Sequence, residues 1–378
     1  MKLEPFALER WMTTYENCVR FDIAESGILP LTVNDLLAWE APAERDRLLS
    51  TLLNLRLGYS EAPGSFALRS AIAATYQQCG PENILVTTGA IEANFLLFNV
   101  LLDAGDEVIA QMPAYQQLIS VPKAVSNNVA LWTVREEGGF HYDLNDLERL
   151  LTPKTRLIVI NTPHNPTGAM LSEQEVQRVY ALAASVGARV LCDEAYRWLE
   201  IPGGGHPTSP AFDLGPAGIS VGTFSKPFGL PGLRIGWIAA PAETIAACWA
   251  MRDYITLSPG KLNDALAVLA LKHRDRIVER NNAIIEQNLA TAQRWFADHQ
   301  DILSWTPPRG GLLALLHYDL AIPSLPLANK LAEEYSVMLA PGSAFGFEHY
   351  LRIGIGQDPQ IFAEGLERAG ACFTALRK

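Results

Sequence analysis

Between residues 84 and 193, short apolar runs alternate with stretches of helical periodicity. The apolar runs are rich in β-branched residues and predict strands at 84–88, 107–111, 129–134, 156–161 and 189–192. The helix predicted after Ser172 begins with Ser-Glu-Gln-Glu, the sequence of a capping box. Such alternation is typical of a largely parallel sheet with helices on both faces, so the predicted fold class is α/β.

The pattern changes after residue 240. Helical periodicity dominates residues 243–297 and is interrupted around 258–260, and residues 274–297 predict one long helix. Short strands are predicted near 312–316 and 351–355, followed by a last helix from about residue 361. These segments predict a second, smaller domain of α+β type.

A chain of 378 residues is long enough to form two domains. The change of pattern between Tyr254 and Ser258 predicts a large domain at 41–255 and a small C-terminal domain at 256–378. The N-terminal segment, residues 1–40, is predicted to pack with the small domain.

Charge and composition exclude several classes of partner. The net charge of −11 argues against nucleic acid and anionic membranes, because both select a basic surface. No apolar run approaches ~18 residues, and the N-terminus lacks the pattern of a signal peptide. The five cysteines are dispersed, as is typical of reduced thiols, and no cluster has the spacing of metal ligands. We expect a cytoplasmic protein with no metal site.

Polar residues lie where the predicted strands end. Asn165 and Asp193 each follow a strand, and Lys226 lies in a loop rich in Gly and Pro between the apolar runs 219–223 and 233–240. Ligands of open α/β sheets bind beyond the C-terminal ends of the strands. These three residues therefore predict a ligand site at that edge of the sheet.

A lysine in such a loop has two interpretations. Most loop lysines are solvated, whereas a lysine pushed toward its neutral amine is the nucleophile that forms Schiff bases. The pattern Thr-x-Ser-Lys at 223–226, followed by Gly-x-Arg ending at Arg234, resembles the cofactor-lysine motif of class I/II aminotransferases, pyridoxal-phosphate enzymes of fold type I. The resemblance implies a seven-stranded, mostly parallel sheet, a Schiff base on Lys226, and Thr223 and Arg234 at the cofactor phosphate.

The resemblance extends to the residues at the strand ends. Residues 161–168 resemble the family's Asn-Pro-x-Gly signature, which implies that Asn165 binds the phenolic oxygen of the cofactor. Asp193 and Tyr196 match Asp-x-x-Tyr; Asp193 would keep the pyridine nitrogen protonated, and Tyr196 would donate to the phenolic oxygen. Taken alone, Asn165 also fits a plain turn, and Asp193 fits a helix N-cap.

Other cofactor contacts are implied in the same way. Tyr115 matches the aromatic residue that stacks on the cofactor ring, and Gly89, Ala90 and Ile91 match the phosphate cup. The family usually has a hydroxyl or amide residue where this chain has Ile91, so one side-chain contact is lost. Tyr59 matches a tyrosine that reaches the phosphate of the neighbouring subunit, which implies a homodimer with shared sites.

The substrate site is implied by Arg352, which matches the arginine that binds the α-carboxylate of the substrate. Asn165 and Gly27 are predicted to contribute to the same site. His164 lies beside Asn165 and fits either a site-lining or a surface histidine.

The resemblance implies an aminotransferase that moves an amino group between an L-amino acid and a 2-oxo acid. Lys226 would anchor the cofactor as a Schiff base and later take the α-proton, with Asp193 and Tyr115 as the other catalytic residues. A regulator with an aminotransferase-like domain is disfavoured, because such proteins add a basic DNA-binding domain.

The same chemistry also serves lyases, oxidases and cyclases. The N-terminal pattern at residues 8–27 resembles that of capreomycidine synthase, an arginine-derived cyclase of this fold. The alternative function is therefore a reaction on a modified or basic amino acid, in which Glu25 or Asp22 would face a cationic side chain. Dependence of turnover on an acceptor 2-oxo acid separates the two alternatives.

Overall fold

Strands and helices alternate through the first two thirds of the chain. The computed structural model describes residues 2–201 and 208–377. The strands are β1 Phe21–Asp22, β2 Ile84–Thr87, β3 Glu107–Met112, β4 Val129–Thr133, β5 Thr155–Asn161, β6 Arg189–Asp193, β7 Gly218–Thr223, β8 Gly236–Ala239, β9 Leu303–Trp305, β10 Leu313–Tyr318, β11 Val337–Met338, β12 Ala340–Pro341 and β13 Tyr350–Gly354. The α-helices are α1 Ala7–Tyr15, α2 Val33–Ala38, α3 Pro42–Leu53, α4 Phe66–Ala73, α5 Gly89–Leu101, α6 Gln117–Ser126, α7 Leu144–Leu150, α8 Glu173–Val186, α9 Ala242–Arg252, α10 Lys261–Lys272, α11 Arg274–Asp298, α12 Ser324–Tyr335 and α13 Pro359–Leu376.

The central sheet has seven strands in the order β2-β8-β7-β6-β5-β3-β4. The pairs from β7 to β4 are parallel, whereas β8 runs antiparallel to both of its neighbours. The predicted α/β fold with a mostly parallel, seven-stranded sheet is therefore confirmed. Because β8 reverses direction, the connection from β7 to β8 both leaves and re-enters the sheet at the same edge.

Helices cover both faces of this sheet. In β5, Val159 packs on one face with Leu97 of α5, while Ile158 and Ile160 pack on the other with Val179 of α8. All five side chains are at most 1% exposed. Burial of each such side chain contributes about 1.5–3 kcal/mol, which explains why the strands read as continuous apolar runs.

A second, four-stranded antiparallel sheet has the order β12-β13-β10-β9 and packs with α11, α12 and α13. The N-terminal segment joins this part of the molecule. Strand β1 pairs in parallel with β11, and Trp11 Nε1 of α1 donates to Asn329 Oδ1 of α12 at 2.8 Å.

The helix after the predicted domain boundary contacts the central sheet. Ala267 of α10 shares a buried cluster with Ile72 of α4 and with Ile84 and Val86 of β2. The division into 1–40, 41–255 and 256–378 stays a prediction. Within the part of the chain that the structure describes, no helix has the length and hydropathy needed to span a membrane.

Candidate active site

A cavity of about 380 Å³ lies at the C-terminal ends of the central strands, a volume suited to a small-molecule ligand. Asn161 ends β5, Asp193 ends β6 beside it, and Thr223 ends β7. The predicted residues that line this cavity are Ala90, Ile91, Tyr115, Asn165, Asp193, Tyr196, Thr223, Lys226 and Arg234. The fold therefore brings together residues that span more than 140 positions of sequence.

The Lys226 amine points toward residues of the N-terminal segment. Its Nζ donates to Ser26 Oγ at 2.7 Å and to Glu25 Oε1 at 3.2 Å. Burial lowers the pKa of Lys226, but the charge of Glu25 and the nearby Tyr196 raise it more, so its pKa lies above the ordinary value. The charge of Glu25 therefore outweighs the effect of burial and favours the ammonium form of Lys226.

Glu25 is held in place by the backbone around it. The attraction of Lys226 holds the pKa of Glu25 below its ordinary value, and Gly27 N donates to Glu25 Oε1 at 2.8 Å. A Cβ at Gly27 would lie 3.1 Å from Glu25 Oε1 and 3.8 Å from Lys226 Cδ. Gly27 is thus placed where a larger residue would press on the Glu25 carboxylate, while the Lys226 side chain would be in ordinary contact.

Asp22 lies at the start of the same turn. It accepts hydrogen bonds from Ala24 N at 2.9 Å and Glu25 N at 3.0 Å. Burial, with the charge of Glu25, raises the pKa of Asp22 to about 6. The N-terminal turn therefore carries two carboxyl groups whose pKa values are shifted in opposite directions.

Asp193 is buried at the end of β6. Its carboxylate accepts from Asn94 Nδ2 at 2.8 Å and from Ala195 N at 3.0 Å, and burial raises its pKa. A cationic ring nitrogen beside it would favour the carboxylate again. Among the described residues, Asn94 Oδ1 finds no hydrogen-bond partner. Asn94 was missed from the sequence, where its one signal is a polar residue inside the apolar helix α5.

Arg352 reaches the cavity region from β13 of the second sheet. It is 1% exposed; Nη1 lies 3.3 Å from Asn165 Oδ1, and Nη2 donates to Ala24 O at 2.8 Å. Burial lowers the pKa of Arg352. Within residues 2–201 and 208–377, Nε finds no partner, so the guanidinium keeps unused donor capacity. The contact with Asn165 joins the two sheets at the site.

The N-terminus of α5 provides an anion site beside β2. Gly89 opens the helix with a φ of 78°, and a Cβ there would lie 2.7 Å from Arg234 Nη2. The free backbone N–H groups of Gly89, Ala90 and Ile91 and the guanidinium of Arg234 are suited to a phosphate. Ile91 supplies no hydroxyl, as the sequence shows.

Tyr115 contacts the N-terminal segment as well as the cavity. Its hydroxyl donates to Glu9 Oε1 at 2.8 Å, and its ring lies 4.8 Å from that of Phe6. Burial, then Glu9, raises the pKa of Tyr115. Glu9 and Ser26 also line the cavity but were not predicted as site residues, because the N-terminal pattern at residues 8–27 does not show which of its side chains reach the cavity.

Tyr59 and His164, like Gly27, Gly89 and Arg352, do not line the cavity itself. Tyr59 is 82% exposed, so its predicted role depends on a second subunit and stays a prediction. His164 is 3% exposed, and its ring contacts Tyr142 Oη at 2.9 Å and Thr167 Oγ1 at 2.8 Å. Burial lowers the pKa of His164 to about 3. His164 is therefore a buried neutral residue rather than a surface histidine.

A family model described as aminotransferase class I and II matches residues 27–368. The chain belongs to the class I and II aminotransferase family. It is 34% identical over 352 residues to capreomycidine synthase of Streptomyces vinaceus. The match covers 92% of this chain and 88% of that relative.

Solved structures of pyridoxal-phosphate enzymes resemble this family member over its whole length. A PLP-dependent aminotransferase from Streptococcus suis has a TM-score of 0.93 and 33% identity, and the match covers 100% of both chains. The PLP-dependent cyclase OrfR has a TM-score of 0.89 and 31% identity, covering 100% of this chain and 98% of that one.

Membership of the aminotransferase family implies pyridoxal 5'-phosphate as the cofactor. The residues present fit this group. Lys226 offers an amine, Asp193 a buried carboxylate, and the α5 N-terminus with Arg234 an anion site. The unpartnered buried atoms Asn94 Oδ1 and Arg352 Nε leave hydrogen-bonding capacity beside the same cavity.

Proposed function

We propose that this protein is an aminotransferase that moves an amino group between an L-amino acid and a 2-oxo acid. The observation that carries the proposal is the convergence of the Lys226 amine, the Asp193 carboxylate and the Arg352 guanidinium on one cavity region. When bound, pyridoxal phosphate supplies an aldehyde that condenses with amines and a ring that accepts the electron pair released at the α-carbon. The residues of the chain supply binding and proton transfer.

Binding is divided between the two sheets. The backbone N–H groups of Gly89, Ala90 and Ile91, with Thr223 and Arg234, hold the phosphate. Tyr115 stacks on the ring, and Asn165 and Tyr196 bind its phenolic oxygen. Arg352 binds the α-carboxylate of the amino acid beside Asn165 and Gly27, because its planar fork matches a carboxylate.

Proton transfer rests on two groups. Asp193 holds the proton on the ring nitrogen, which strengthens the ring as an electron acceptor. Lys226 Nζ takes the α-proton of the substrate and returns it at the neighbouring carbon.

Lys226→Ala tests this assignment. We expect turnover to be abolished while circular dichroism shows an unchanged fold, and borohydride reduction of the wild type to leave a mass adduct on Lys226. The outcome that contradicts the proposal is wild-type turnover by the variant or an adduct on another side chain. Lys154→Ala, in the exposed turn before β5, is the matched control and keeps full activity.

We also propose that two copies of the chain share their sites. Large apolar side chains are exposed on one set of loops and helix ends: Leu53, Leu57, Tyr59 and Tyr254 are each at least 77% exposed. A surface of this kind favours burial against a partner. Light scattering should give twice the mass of the monomer, and Tyr59→Phe should weaken cofactor binding; a monomer that binds the cofactor fully contradicts the proposal.

The second candidate is a lyase, oxidase or cyclase acting on a modified or basic amino acid. It is supported by the match to capreomycidine synthase over 92% of the chain and by the likeness to a cyclase structure. Product analysis with and without a 2-oxo acid separates the candidates. Turnover that requires the 2-oxo acid supports the aminotransferase, and sustained turnover without it supports the second candidate.

A further inference from the structure

Helix α1 lies beside the active-site cavity and is held from both sides. On the side of the central sheet, Ala7 N donates to Gln116 Oε1 at 2.9 Å, and Glu9 accepts from Tyr115 Oη at 2.8 Å. On the other side, Trp11 Nε1 donates to Asn329 Oδ1 at 2.8 Å. These contacts fix the Glu9 carboxylate at the cavity wall before any substrate binds.

The charges around the cavity balance only in part once the expected ligands are counted. Arg234 is matched by the cofactor phosphate and Arg352 by the substrate carboxylate, and the carboxylate of Asp193 is matched by the ring nitrogen. Glu25 Oε1 lies 3.2 Å from Lys226 Nζ, and the charges of Glu9 and Glu25 also act on Arg352. When the substrate carboxylate occupies Arg352 and Lys226 is a neutral amine, neither carboxylate faces a free cation among these residues, although Glu9 still accepts from Tyr115 Oη and Glu25 from Gly27 N.

We infer that Glu9, acting with Glu25, selects a substrate whose side chain carries a cationic group such as a guanidinium or an ammonium. The inference rests on the proposed function, since it needs an amino acid held by Arg352 with its amine near Lys226. A cationic side chain would supply the missing positive charge. An acidic side chain would add a third carboxylate to the same space and is therefore disfavoured.

Glu9 has a second role that an experiment has to separate from selection. Its carboxylate fixes the Tyr115 hydroxyl, so removing the side chain would also disturb the residue predicted to stack on the ring. Glu9→Gln keeps an oxygen that accepts this hydrogen bond and removes the charge. The variant therefore tests the effect of the charge while the hydrogen bond that holds the Tyr115 hydroxyl is kept.

The test titrates the loaded holoenzyme with L-arginine, L-lysine, L-norleucine and L-glutamate and follows the absorbance change of the cofactor. For the wild type, we expect the concentration that gives a half-maximal absorbance change to be at least about tenfold lower for L-arginine or L-lysine than for uncharged L-norleucine. This concentration should be highest for L-glutamate. Glu9→Gln should reduce the ratio of the affinity for the cationic amino acids to the affinity for L-norleucine by about tenfold. Glu16→Gln, at the exposed end of α1, is the matched control and should leave that ratio unchanged.

Two failures are distinguishable. A normal response to amino acids with no preference for cationic side chains, or a ratio that Glu9→Gln does not change, overturns this inference and leaves the proposed function standing. A holoenzyme that responds to no amino acid overturns the proposed function and this inference together.

Discussion

The two walls of the cavity are built in different ways. The wall from the central sheet holds its polar groups at the ends of parallel strands and at a helix start, as with Asp193 at 6% exposure. The wall from the N-terminal segment and the second sheet brings Glu9, Glu25 and Arg352 from distant parts of the chain. The first wall has the features that any substrate of this cofactor needs, and the second has those that distinguish one substrate from another.

The largest expected effect belongs to the central-sheet wall. Asp193→Asn keeps the size of the side chain but loses the charge that holds a proton on the ring nitrogen, so we expect kcat to fall about a hundredfold or more. The measurement is the rate of α-proton exchange in deuterated water with the cofactor bound. A variant that retains the wild-type rate would show that the charge of Asp193 is not needed for proton transfer.

A smaller effect is expected on the opposite wall. Arg352→Lys keeps a cation but loses the fork that matches a carboxylate, so we expect KM for amino acids to rise roughly tenfold to a hundredfold. The variant should still bind the cofactor, because Arg352 contacts no predicted phosphate ligand. Loss of the cofactor from this variant would contradict the separation of the two walls.

The smallest effect concerns the stability of the N-terminal turn. The pKa of Asp22 is raised from 3.8 to about 6, so between these values the folded protein binds more protons than the unfolded chain. The free energy of unfolding therefore falls as pH rises through this window, by about 1 kcal/mol for each pH unit from this group. Asp22→Asn should flatten that slope in denaturant titrations, because Asn keeps the acceptor oxygen and does not titrate.

The exposed Asp46 of α3 provides the control for this prediction, and Asp46→Asn should leave the slope unchanged. An equal slope in wild type and Asp22→Asn would show that other groups cause the pH dependence.

The sequence predicts the central-sheet wall well because its signals are local. Apolar runs locate the strands, and Asp193 and Lys226 follow them within a few residues. The region after residue 65 is an exception, because its sequence predicts a helix over about residues 66–78 whereas α4 ends at Ala73. Beyond that end, Thr75 O accepts a hydrogen bond from Arg197 Nη2 at 2.6 Å. Because the two residues are 122 positions apart, this contact leaves no pattern in the local sequence.

The opposite wall was predictable only in part. Arg352 stands in a recognisable motif, whereas Glu9 and Ser26 lie in the N-terminal pattern at residues 8–27, which does not show which of its side chains reach the cavity. The pKa of Lys226 depends on Glu25, which lies 201 positions earlier in the chain, so burial alone predicts the wrong direction. Long-range charge pairs of this kind require the folded structure.

The reversed direction of β8 has a consequence for tolerance to insertions. Thr223 pairs with Gly236, so residues 224–235 form one closed connection that carries both Lys226 and Arg234 at the same edge. The spacing between the amine and the guanidinium is thus set by this short piece of chain and is independent of how the second sheet moves. Evolution can lengthen distant surface loops freely, but a single added residue here would separate the two ends of the bound cofactor from their anchors.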